Sequence, residues 1–142
     1  MHVQTYLQFN GRCEEALDFY RKAIGAEVTM LMRFKDSPEQ PDPAEGSEAQ
    51  SGMEDKVMHS SFQVGGTTLM ATDGDCNKSA GFQGFALTLQ AADEAEAERY
   101  FAALSDGGEV KMPLTKTFFS PKFGMLADRF GVSWMVLVQH AE

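Results

Sequence analysis

One stretch of this chain constrains its fold more than any other, because it occurs twice. Tyr6 to Gly25, YLQFNGRCEEALDFYRKAIG, is answered by Ala86 to Gly107, ALTLQAADEAEAERYFAALSDG. At a constant offset, Leu7 falls on Leu87, Phe9 on Leu89, Tyr20 on Tyr100, Ala23 on Ala103 and Ile24 on Leu104. An internal repeat bears on the whole architecture, before any single element is assigned. In the first copy Leu7 and Phe9 alternate with Gln8 and Asn10, the period of a strand with one face on a core. Leu17, Tyr20 and Ile24 then recur at helical spacing, which makes an amphipathic helix to cover that apolar face. In the second copy Asp93 followed by Glu96 has the spacing of an N-terminal cap, and Gly107 and Gly108 stand where a helix ends. Each half of the chain therefore contains a strand feeding a helix.

The remaining elements follow in order. The first strand runs from about Val3 to Phe9, and its alternate residues Gln4, Tyr6 and Gln8 face away from the helix, toward a cavity. Glu27 to Phe34 reads as a second strand. From Asp36 to Asp55 the chain carries three prolines, two glycines, seven acids and no Lys or Arg, a composition that does not build a packed core. This acidic loop is expected to be a solvated insertion or a lid over a pocket. Val57 to Val64 is a third strand with His59, Ser61 and Gln63 on one parity, Gly65-Gly66 is a hairpin turn, and Thr67 to Thr72 returns. Asp73 to Gln83 is a polar connection, and Gly84 begins the second module. Val110 and Met112 suggest a short strand. Lys116 to Met125 places Phe118, Phe119 and Phe123 in a segment broken by Pro121 and Gly124, where phenylalanines plug a core or wall a ligand site. Leu126 to Val138 closes the chain as a hairpin turning at Asp128 to Gly131, with Asp128 as a turn residue. The reading is an α+β fold of two βαβββ modules, residues 1–74 with the acidic loop 36–56 and residues 84–142, forming one structural domain.

Charge narrows the function classes. A formal net charge of −9, with no cluster of Lys or Arg, excludes nucleic acid and anionic membrane surfaces as partners. No apolar run approaches a membrane span, and MHVQTY lacks the features of a signal peptide, so a cytoplasmic protein is expected. The two cysteines, Cys13 and Cys76, have no metal-type spacing. Cys13 lies near a helix start, where it is either a small packed residue or a thiol activated by the helix dipole. His2 and His140 lie near the termini and are expected to be solvated.

Three motifs in order carry a resemblance: FNGxxxEAxxFY at Phe9 to Tyr20, an isolated His59 in the third strand before Gly65-Gly66, and DRFGVSWM at Asp128 to Met135. Together they resemble the PhnB-like branch of the glyoxalase/bleomycin-resistance/extradiol-dioxygenase superfamily, also called the vicinal oxygen chelate superfamily. The resemblance spans nearly the whole chain. It implies curled mixed sheets, each wrapping half of a cavity, a homodimer, and in many members a divalent metal. In glyoxalase-type members one metal ligand comes from the first strand and one from the last strand of each module. Set onto this chain, those positions fall on Gln4, Met70, Gly84 and Met135. Gln4 alone could coordinate a hard divalent ion, because a thioether is a poor ligand for one. No cofactor is therefore expected, with a divalent metal as the alternative.

His59 is the sharpest single residue, as a general base, a hydrogen-bonding group for a substrate, a ligand beside Gln4, or a structural histidine. Around it the expected ligand pocket comprises Gln4, Tyr6, Gln8, Met70, Phe119, Trp134 and Met135. Relatives of this branch have been labelled ubiquinone-pathway methyltransferases, but the glycine-rich loop within alternating βα units that such enzymes need is absent. Two readings stand: a protein that binds a small, partly aromatic molecule, or a metal-dependent lyase, isomerase or dioxygenase-type enzyme acting on a small oxygenated substrate.

Overall fold

A computed structural model describes residues 1, 3–36, 54–73 and 82–138. The acidic loop lies mostly outside the described residues, as do His2, Cys76 and His140. The chain divides into two compact units, residues 1–80 and 81–142.

In the first unit, strand β1 (Tyr6–Gln8) is followed by helix α1 (Cys13–Ile24), β2 (Glu27–Arg33), a short 3-10 turn at Phe34–Asp36, β3 (Val57–Val64) and β4 (Thr67–Thr72). The sheet order is β1-β4-β3-β2, with β1 parallel to β4 and the other pairs antiparallel. This is the expected βαβββ module. Alternation fixes its two faces: Leu7, Ser60, Phe62, Leu69 and Ala71 are buried, while Tyr6 and Gln8 are exposed. Helix α1 covers the buried face through Cys13, Ala16, Leu17, Tyr20 and Ile24. The Tyr20 ring stacks on Phe62 at 6.1 Å. Glu14 and Glu15 in the first turn and Arg21 and Lys22 in the last complement the helix dipole. Gly25, at φ 70, ends the helix in the left-handed conformation that a side chain would disfavour. Strand β1 is shorter than expected, because the parallel ladder engages only Tyr6 to Gln8, and exposed Gln4 lies before it.

The second unit repeats the design with β5 (Leu87–Ala91), α2 (Glu94–Ser105), β6 (Glu109–Thr115), β7 (Phe123–Ala127) and β8 (Ser133–Val138), in the order β5-β8-β7-β6. Asp93 caps α2 as its spacing predicts, accepting the Glu96 N–H at 2.8 Å, while Glu96 Oε1 accepts from Ala92 N at 3.2 Å. Pro113 is tolerated in β6 because that strand lies at the sheet edge and its register shifts between Met112 and Thr115. The repeat drifts within its helix. Leu104 is buried like Ile24, but Tyr100 is only half-buried, and Phe101 takes the core position that Tyr20 holds in the first unit. Gly124 makes room for it, since a Cβ there would lie 2.7 Å from the Phe101 ring. Strand β7 also begins earlier than its hairpin pattern suggests, at Phe123, because the irregular stretch ends at a turn in which Thr117 N–H bonds Ser120 O at 2.9 Å.

Candidate functional site

The helix-free face of the first sheet brings His59 together with Tyr6 and Met70. Cross-strand pairing aligns Met30, Ser61, Met70 and Tyr6 in one row over β2, β3, β4 and β1, because directly opposed residues share a face. His59 lies opposite Met32, and Gln63 lies opposite Thr68 with Nε2 3.5 Å from its hydroxyl. The central relationship is between Tyr6 and His59, whose phenol oxygen and Nδ1 are 3.0 Å apart and whose ring centres are 5.6 Å apart. Tyr6 is 44% exposed and His59 half-buried, so the pair is open to a ligand while held by the sheet. Met70 lies opposite Tyr6, Met32 opposite His59 and Met30 opposite Ser61, which lends the face adaptable apolar surface, and none of the side chains in the row is charged.

Of the expected pocket residues, Tyr6 and Met70 share this row, and Gln8 lies opposite Thr72, whose hydroxyl is committed to Val57 O at 3.3 Å and Met58 O at 2.7 Å. Gln4 stands outside the ladder. In the second unit, Trp134 and Met135 are neighbours along β8 and so point to opposite faces. Trp134 is only 3% exposed and donates its indole N–H to Asp128 Oδ2 at 2.9 Å, which makes it a core residue and not a partner of Met135 in lining one surface. Asp128 is the turn residue its position suggests, accepting from Phe130 N and Val132 N as well. Phe119 is 45% exposed and packs edge-on against Phe118 and Phe123, at 5.1 and 5.0 Å.

The positions where the resemblance implies metal ligands do not fit a hard divalent cation. Gln4 offers one amide oxygen, Met70 and Met135 offer thioethers, and Gly84 offers no side chain. Among the described residues, no three His, Cys, Asp or Glu side chains are grouped to hold a metal ion.

Two features escaped the sequence reading. Met30 and Met32 join the face only because β2 shifts register between Val28 and Met30, which simple alternation does not signal. Asp73, read as the start of a polar connection, is 1% exposed and takes Cys13 N–H at 2.8 Å on one oxygen and Val57 N–H at 2.6 Å on the other. Beside it Cys13 is fully buried, and burial pushes its thiol up from 9.0 to about 12, so it is a packed residue and not an activated nucleophile.

A family model described as 3-demethylubiquinone-9 3-methyltransferase matches residues 1–137. The chain belongs to this family. Protein YjdN of Escherichia coli K12 is 32% identical over 97% of this chain and 95% of its own length. Among solved structures, protein PA1353 of Pseudomonas aeruginosa is 39% identical, with a TM-score of 0.83 over 99% of both chains. A PhnB protein of Bacillus cereus is 30% identical, with a TM-score of 0.78 over 97% of this chain and 99% of that one. A glyoxalase-related enzyme from Fulvimarina pelagi, 18% identical, shares the fold at a TM-score of 0.60 over 98% of this chain and 88% of that one. This family member is therefore PhnB-like, and its two four-stranded mixed sheets share the fold of that glyoxalase-related enzyme. Among its described residues, no helix is long and apolar enough to cross a membrane.

Proposed function

We infer that this PhnB-like protein binds a small, uncharged, partly aromatic molecule on the helix-free face of its first sheet, without the divalent metal common in its superfamily. The observation that carries the reading is the Tyr6–His59 hydrogen bond, set at the end of an uncharged methionine-bearing row. Apolar, sulfur-rich surface adapts to flat ligands, and a few placed polar groups fix their orientation. No guanidinium or ammonium in that row would hold a phosphate or carboxylate. The methyl transfer in the family description is not part of this reading, since each described sheet has one parallel strand pair and not the alternating βα units of the common methyltransferases.

Proton transfer on a bound substrate is the second reading, and the same pair favours it. A histidine whose Nδ1 accepts from a phenol is held in one orientation, and it can pass its Nε2 proton to a substrate as the phenol proton moves to Nδ1. In either case the protein acts as a homodimer in the cytoplasm: both sheets are open, with β1, β2, β5 and β6 at their edges, and pairing between copies would protect those edges.

The test follows the Tyr6 and His59 NMR signals while a panel of small uncharged aromatic compounds is titrated. Saturable shifts that Tyr6→Phe weakens are expected, and elemental analysis should find well under one equivalent of zinc, nickel, manganese or iron. A stoichiometric metal that His59→Ala removes would overturn the metal-free reading, and both signals staying at rest across the panel would overturn the ligand class. Light scattering at low micromolar concentration checks the dimer.

A further inference from the structure

The helix-free face of the second sheet has a row built differently from the first. Met112 lies opposite Met125, Met125 opposite Met135, and Met135 opposite Thr88, so thioethers stand side by side on β6, β7 and β8. Opposed residues have Cβ atoms about 4.5–5.5 Å apart, and each methionine has three rotatable bonds, so the outer sulfurs can lean onto the middle one. All three side chains are half-buried, neither locked in the core nor free in solvent. Thr88 Oγ1 is 3.8 Å from Met135 Sδ, which fixes one end of the row. The flanking pairs are Phe123 with Leu137 and Ala127 with Ser133, so the methionines form a single line and not a general methionine lining. In the first sheet the corresponding row is interrupted by Ser61, between Met30 and Met70.

Three neutral soft donors in line do not suit a hard divalent cation, which needs oxygen ligands and negative charge to offset lost water. They suit a soft ion of single charge, for which thioethers are selective ligands. We propose that Met112, Met125 and Met135 form a three-thioether site for a soft monovalent d10 ion, copper(I), with silver(I) as its stable analogue. Binding makes sulfur–metal bonds only and changes no oxidation state. The site lies within the second unit and does not depend on the ligand reading of the first.

The test uses full-length protein labelled with carbon-13 at the methionine methyls, titrated with silver nitrate in chloride-free buffer. The methyl signals of Met112, Met125 and Met135 should move together and stop at one equivalent, while those of Met30 and Met70 stay in place. In competition with a copper(I)-selective chelator, Met125→Leu should weaken copper(I) binding by at least about tenfold, or about 1.4 kcal/mol. Should Met125→Leu fail to fold, Met135→Leu makes the same comparison. Silver taken up with these three methyls at rest, as it would be by Cys13 or Cys76 alone, overturns the proposal, as does unchanged copper(I) affinity in a folded variant.

Discussion

Asp73 Oδ1 accepts the backbone N–H of Cys13 at 2.8 Å, joining the first residue beyond β4 to the first turn of a helix 60 residues earlier. Arg12, at the N-cap, makes no side-chain capping bond, so the cap comes from across the fold. The other oxygen takes Val57 N–H at 2.6 Å. One carboxylate thus closes the module that presents Tyr6 and His59.

Asp73→Ala would strand both buried N–H groups and should lower unfolding free energy by about 3 kcal/mol. Asp73→Asn, whose amide keeps one acceptor, should cost less. Urea denaturation followed by circular dichroism measures both. Equal stability of wild type and Asp73→Ala would mean that these bonds do not hold in solution.

Cys13 sets a dependence on alkaline pH. Its folded-state thiol, raised by desolvation from 9.0 to about 12, keeps its proton where the unfolded thiol has lost it. Its contribution is therefore fully present below pH 9 and falls between pH 9 and 12, by about 1.4 kcal/mol per pH unit. The difference in stability between Cys13→Ala and wild type, measured across that range, should show this slope. In a Cys76→Ser background, Cys13 should resist a disulfide reagent at pH 8 until urea unfolds the chain.

Tyr6 and His59 make a tautomer prediction. A phenol is a better donor than a neutral imidazole N–H, so Tyr6 should donate to Nδ1 and leave the proton of neutral His59 on Nε2. Nitrogen-15 NMR should show that form in wild type and a mixture in Tyr6→Phe. Identical ring-nitrogen shifts in both would remove the hydrogen bond from the mechanism.

Two glycines should respond unequally to alanine. A Cβ on Gly108 would lie 2.2 Å from Ala127 O, backbone that cannot give way without moving β7, so Gly108→Ala should cost about 3 kcal/mol. Gly66→Ala meets nothing within 4 Å and should stay within about 0.5 kcal/mol of wild type. Thermal unfolding of the pair separates close approach from simple turn preference.

The sequence by itself determined the module plan, the cap at Asp93 and the outward parity of Tyr6, Gln8 and His59. Each follows from period-2 or helical spacing, or from a cap motif, and all three are written in neighbouring residues. Only the tertiary structure decided which side chains meet. The Tyr6–His59 bond spans 53 positions and depends on the parallel register of β1 on β4. The placing of Met30 beside Ser61 and of Met112 beside Met125 depends on register shifts in edge strands, and a shift of one residue turns a side chain to the other face without a mark in the local pattern. Trp134 shows the same division: its motif marks the last strand, but its indole turns inward because Asp128, six residues earlier, offers a buried acceptor.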